Sequence, residues 1–102
     1  SHCKEAVVCA VSDKPVGVDV ESHREFSESL INYTLNDEEI AEIKKSDNVA
    51  ATFIRLWTMK EATSKLIGTG ITHDVKSLID TTKYKYNTVE RQRYTYTICS
   101  FT

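Results

Sequence analysis

The sequence predicts an α+β domain in which an antiparallel sheet packs against helices. Three observations carry this expectation. Residues alternate in character at VGVDVE (16–21) and RYTYTICSF (93–101), near the two ends of the chain. A period of two marks a strand whose two faces meet different surroundings. Between them, Ala50, Phe53, Ile54, Trp57 and Met59 recur mostly at helical spacing. Strands, then helices, then strands is the order of a segregated α+β fold with an antiparallel sheet.

Composition agrees with a single domain spanning residues 1–102. Apolar residues make up 40% and charged residues 27%, with three Gly and one Pro, which excludes collagen-like, low-complexity and mostly disordered chains. No apolar run approaches the roughly 20 residues of a membrane-spanning helix, so no membrane partner is expected. Fifteen acids against thirteen bases leave a net charge of -2. A protein held to nucleic acid through phosphate contacts is usually basic, so no nucleic-acid partner is expected. Cys3, Cys9 and Cys99 are odd in number and lack a CxxC spacing, which suits neither a disulfide framework nor a zinc site. Buried free thiols in a reducing cytosol are the expectation. No charged segment leads into an apolar one as in a signal peptide, so a cytoplasmic location is expected.

Taken in order, EAVVCAV at 5–11 is apolar and β-branched, and Asp13-Lys14-Pro15 then marks a turn. With 16–21 this predicts a β-hairpin: Val16, Val18 and Val20 point one way, Gly17, Asp19 and Glu21 the other. Residues 26–33 are expected to form a short helix. A second helix runs from Asn36, as N-cap, to Lys45. Its first turn holds Asp37, Glu38 and Glu39 and its last Lys44 and Lys45, so charge suits the helix dipole at both ends. The long helix spans about 48–67, and Gly68-Thr69-Gly70 ends it. Residues 75–79, 82–87 and 93–101 are expected strands, the last two rich in Tyr and Thr.

Two pairs of residues could carry chemistry. Asp19 and Glu21, at i and i+2 on a strand, project from one face beside the small Gly17. Crowded carboxylates repel unless a cation lies between them, and oxygen-only donors suit Mg²⁺ or Mn²⁺ rather than zinc. The alternative is a solvated polar face at a strand end. Glu61 and Lys65, four apart, share a helix face with Trp57 a further turn back. Alone they read as an exposed pair worth a few tenths of a kcal/mol. Opposite Asp19 and Glu21, they would add a third carboxylate to a metal site and a cation for a phosphate, the equipment of phosphoryl chemistry.

Other features say less. Gly68 and Gly70 terminate a helix without further purpose. Ser1-His2 could reach a phosphate or be a cloning remnant. In Lys83-Tyr84-Lys85-Tyr86 the lysines and tyrosines take opposite faces of a half-buried strand. His23 and His73 have no partner pattern.

Together these pieces resemble the 4′-phosphopantetheinyl transferases. The matching segments are Ser1-His2, Gly17-Val-Asp-Val-Glu21, and Trp57-Thr-Met-Lys60-Glu61-Ala-Thr-Ser-Lys65-Leu-Ile-Gly68-Thr-Gly70. The family pattern is S-H, G-[IV]-D-[IV]-E and W-x-x-K-E-x-x-x-K-x-x-G-x-G. The likeness spans about residues 1–80, and Cys3 stands where a second serine is usual. The placement of S-H before the strand is similar to the second half of the two-lobed, surfactin-synthetase-activating type.

The resemblance implies Mg²⁺-dependent transfer of the phosphopantetheine arm of coenzyme A to a serine of an acyl or peptidyl carrier protein, releasing 3′,5′-ADP. It implies Asp19, Glu21 and Glu61 as metal ligands, with Glu61 also the candidate base for the carrier serine. Lys65 would pair with phosphate oxygens. Ser1 and His2 would contact the 3′-phosphate or nearby groups, and Lys60 would lie beside the ligand. The carrier would dock near residues between Glu21 and Asn48. An N-terminal lobe, or self-association in its place, would complete the coenzyme site. Two alternatives share these residues: another Mg²⁺-dependent phosphoryl or nucleotidyl-transfer domain, and a non-catalytic carrier-docking lobe.

Overall fold

The structure, a computed structural model, describes residues 14–68 and 75–102. Strand β1 (Val16–Ser22) leads into helices α1 (Glu28–Thr34), α2 (Asp37–Lys45) and α3 (Val49–Ile67). A single 3-10 turn at Val75–Ser77 precedes strands β2 (Tyr84–Glu90) and β3 (Tyr94–Phe101). The sheet order is β1-β3-β2 and both pairings are antiparallel, which bears out the expected fold class. The expected strand at 5–11, and with it the hairpin, lies outside the described residues.

Local chemistry sets the helix ends. The Ser27 hydroxyl accepts from the Leu30 amide at the start of α1. Asn36 and Glu39 form a reciprocal capping box at α2: each side chain accepts from the other's backbone N–H at 2.9 Å. Asn48 accepts from the Ala51 amide at the start of α3. Gly68 ends α3 at φ +76°, a left-handed conformation that glycine adopts without strain, and its N–H donates to the Ser64 carbonyl.

Helix α3 is buried on two sides with different chemistry. Toward α1 and α2 the core is apolar: Leu35, Ile43, Phe53 and Leu56, with Phe26, Leu30 and Ile40 packed around them. Toward the sheet the seam is hydroxyl-rich. Thr97, at the centre of β3, hydrogen-bonds Thr58 of α3 at 2.9 Å and Thr88 of β2 at 2.8 Å. Thr63 donates to the Met59 carbonyl at 2.7 Å and bonds the Tyr86 hydroxyl at 2.8 Å. Buried hydroxyls that are hydrogen-bonded in this way cost little, and their small size lets helix and sheet approach closely. The expected free thiol is found at Cys99, buried against Thr63 in the same seam.

The expected strand at 75–79 is corrected to the 3-10 turn. The first two carbonyls that a strand would offer to a neighbour, those of Val75 and Lys76, are already taken. Lys60 Nζ donates to Val75 O at 2.8 Å and Lys76 O at 3.2 Å, and Asn36 Nδ2 also donates to Lys76 O. Among the described residues no helix is long and apolar enough to cross a membrane.

Candidate active site

The site lies where α3 crosses β1, and Gly17 sets the approach. A Cβ at position 17 would overlap the Ala62 carbonyl oxygen and lie 2.6 Å from the Leu66 amide nitrogen. Only glycine lets the last turns of α3 settle on the strand. The carboxylate face of β1 therefore lies against the helix, and the residues of β3 that pair with it (Thr95, Thr97, Cys99) are fully buried. The helix runs opposite to the strand. Ala62 and Leu66 meet Gly17, Lys65 meets Asp19, and Trp57 meets Glu21.

Asp19 is the most buried carboxylate of the site, at 5% exposure. Its Oδ1 accepts from Lys65 Nζ at 2.8 Å. Its Oδ2 is buried with no hydrogen-bond partner among the described residues. Burial raises its pKa; the Lys65 hydrogen bond and charge partly offset this, Glu21 adds to it, and the result is about 6. Glu21 accepts from the indole Nε1–H of Trp57 at 3.0 Å. Glu61 is half-buried, and its pKa is raised by burial and by the charges of Asp19 and Glu21, with Lys65 opposing. The three carboxylates thus share one electrostatic environment with Lys65, whose side chain is 44% exposed.

Among the described residues no three His, Cys, Asp or Glu side chains close on a common point as they stand. The donor set nevertheless suits a hard divalent cation. All three groups are carboxylates, and a buried Asp19 oxygen without a donor is the kind of atom a metal satisfies.

Lys60 is placed elsewhere. Its ammonium is fully buried, 2.9 Å from Glu39 Oε1 and bonded to the carbonyls of Val75 and Lys76. Burial lowers its pKa and Glu39 opposes that shift. Although adjacent to Glu61 in sequence, it projects from another side of the helix and joins α2, α3 and the 3-10 turn. Ser1 and His2 lie outside the described residues. Three side chains that sequence reasoning left without partners acquire them here. His23 Nε2 lies 2.7 Å from Thr95 Oγ1. Glu39 is the counter-ion of Lys60, a pairing that no spacing in the sequence announces. Trp57 is the donor to Glu21, and its signal was the row 57, 61, 65 along one helix face.

Comparison with known proteins places this geometry. The family model for the 4′-phosphopantetheinyl transferase superfamily matches residues 15–100. The chain is 36% identical over 73 residues to the 4′-phosphopantetheinyl transferase gsp of Aneurinibacillus migulanus, covering 70% of this chain and 31% of that protein. It is 34% identical over 79 residues to psf-1 of Bacillus pumilus, covering 76% of this chain and 34% of the relative. Against Sfp of Bacillus subtilis (strain 168) it is 30% identical over 73 residues, covering 70% and 33%. The matched part amounts to about a third of each relative. With most of its length matched by the family model, and with Gly17 admitting the helix that brings Lys65 to Asp19, the chain belongs to the 4′-phosphopantetheinyl transferase superfamily.

Proposed function

We propose that this chain contributes the metal- and phosphate-binding half of a site that transfers 4′-phosphopantetheine from coenzyme A to a carrier-protein serine in the cytoplasm. The observation that carries the reading is the placement of Asp19, Glu21, Glu61 and Lys65 in one electrostatic environment at the β1–α3 contact, with one buried Asp19 oxygen that no described residue donates to. The relatives bear the name of this activity.

In this proposal Asp19, Glu21 and Glu61 hold Mg²⁺, or Mn²⁺ in its place. Bound there, the cation would neutralise charge on the pyrophosphate of coenzyme A. Lys65, exposed enough to reach outward, moves part of its positive charge from Asp19 to the phosphate oxygens. Glu61, directly or through a water, accepts the proton of the carrier serine as its Oγ bonds to the phosphorus that bears the pantetheine arm. The bond from that phosphorus to 3′,5′-ADP breaks, and the nucleotide leaves with the electron pair. Ser1 and His2 serve the 3′-phosphate. Lys60 enters as a strut that fixes α3, since its ammonium is already spent on Glu39 and two carbonyls. The carrier, acyl or peptidyl, docks along residues between Glu21 and Asn48. Remaining coenzyme contacts come from a further lobe or a second copy.

Thermal unfolding of this chain with coenzyme A tests the reading. Ligand at 100 times its dissociation constant stabilises by about 2.7 kcal/mol. For a domain of this size that raises the melting temperature by about 10 °C. The rise is expected to require Mg²⁺ and to vanish in Glu61→Ala. No rise with coenzyme A and Mg²⁺, either in this chain alone or with a further lobe supplied, would overturn the claim that these residues hold the coenzyme.

A further inference from the structure

We propose that Trp57 is a positioning residue whose indole N–H orients Glu21 for metal binding, an inference that rests on reading Glu21 as a ligand. Glu21 is half-buried on β1, and a glutamate there has three side-chain torsions to fix. Trp57 Nε1 donates to its Oε1 at 3.0 Å. This bond holds one carboxylate oxygen against α3.

The donor is itself held. The Trp57 ring stacks on Phe53 with centroids 6.3 Å apart and planes 9° from parallel. Phe53 is fully buried and packs on Phe26 at 4.4 Å. The indole is therefore locked through an aromatic row that reaches into the helical core. Donors of this kind, one step removed from a metal, fix the orientation of its ligands and typically change affinity by 10–100-fold when removed.

The chemistry of the group fits that task. An indole N–H only donates, and it carries no charge at any working pH. It can orient Glu21 without competing with a cation for the site. Lys65 holds Asp19 differently, because an ammonium also offsets the charge that would attract the metal. Trp57 and Lys65 are thus unequal partners of the two strand carboxylates: one aims, the other neutralises.

The test is Mn²⁺ binding by this chain, followed by electron paramagnetic resonance of the free ion. Trp57→Phe keeps the ring stack and deletes the donor. It is expected to keep a cooperative melt and to bind Mn²⁺ at least about tenfold more weakly. Glu21→Gln should bind equally weakly whether Trp or Phe stands at 57, because Trp57 acts through Glu21. Unchanged affinity in Trp57→Phe, with loss in Glu21→Gln, would overturn the positioning role and leave the metal reading standing. Absence of Mn²⁺ binding by the unmutated chain would overturn both. A second measurement needs no variant at position 57. Trp57 is the only tryptophan of the chain, so its indole gives a single N–H resonance. Saturating Mg²⁺ should shift that resonance in the unmutated chain but not in Glu21→Gln; a resonance unmoved by saturating Mg²⁺ overturns the proposal.

Discussion

The ammonium of Lys65 lies 2.8 Å from Oδ1 of Asp19, while Oδ2 of the same carboxylate is buried and accepts no hydrogen bond from the described residues. One half of this group is satisfied by a partly exposed cation and the other half by no group among the described residues. The arrangement spends stability to keep a charge in place, as functional sites commonly do.

The pKa of Asp19 makes that cost visible against pH. Its native value of about 6 is above the 3.8 of the unperturbed group. Between those values the native state binds the proton more tightly than the unfolded chain does, so stability falls as pH rises through this window. The contribution is favourable below both values and is lost above 6. Asp19→Asn removes it. The variant should match the parent near pH 4 and exceed it at pH 7.5 by up to about 3 kcal/mol, measured by urea unfolding at both pH values. Mg²⁺ should stabilise the parent and not the variant.

Gly17→Ala should separate the two halves of the site. The added methyl would meet backbone atoms of Ala62 and Leu66, which cannot rotate aside. Overpacking of this kind costs about 1–3 kcal/mol or more. A lower melting temperature is expected. Mn²⁺ binding should also be lost at temperatures where the variant remains folded, because α3 would ride higher over Asp19 and Glu21.

Lys60→Met should act on stability. It strips the Glu39 carboxylate of its buried counter-ion and leaves the Val75 carbonyl without its donor. Breaking a buried pair from one side costs about 3–5 kcal/mol. Replacing Glu39 as well, in Lys60→Met/Glu39→Gln, should recover part of this in urea melts. A single variant of normal stability that failed to bind coenzyme A would instead place Lys60 in ligand contact.

Glu61→Gln should keep the fold and lose turnover. The side chain is half-buried and its charge is repelled by Asp19 and Glu21, so removing that charge is not expected to lower the melting temperature. In the proposed reaction Glu61 is the general base, and loss of such a base reduces rates by about 10²–10⁴-fold. The readout is the mass of an apo-carrier protein after incubation with coenzyme A and Mg²⁺.

Much of this was legible because the signals are short-range. The capping residue Asn36 and the acidic first turn located α2 to the residue. The apolar spacing and Gly68 located α3, and the alternation at 16–21 and 93–101 located β1 and β3 within a residue. The motif residues around Asp19, Glu21, Glu61 and Lys65 pointed to one family, and the family match agrees. Each of these signals is carried by residues a few positions apart, whose conformations depend mainly on one another.

The partners across space were not legible in that way. Residues 75–79 have strand-like character, yet the carbonyls of Val75 and Lys76 are taken by Lys60 and Asn36, 15 to 40 positions away. On spacing alone, the acidic face of β1 could equally have pointed to water. Burial of that face follows from a missing Cβ at Gly17 and a seam of threonines narrow enough to let α3 descend. The sequence by itself determined the elements and the kinds of group available for chemistry. Only the tertiary structure decided that Lys65 would meet Asp19, that Trp57 would hold Glu21, and that Lys60 would turn away, because those outcomes depend on how closely one helix can approach one strand.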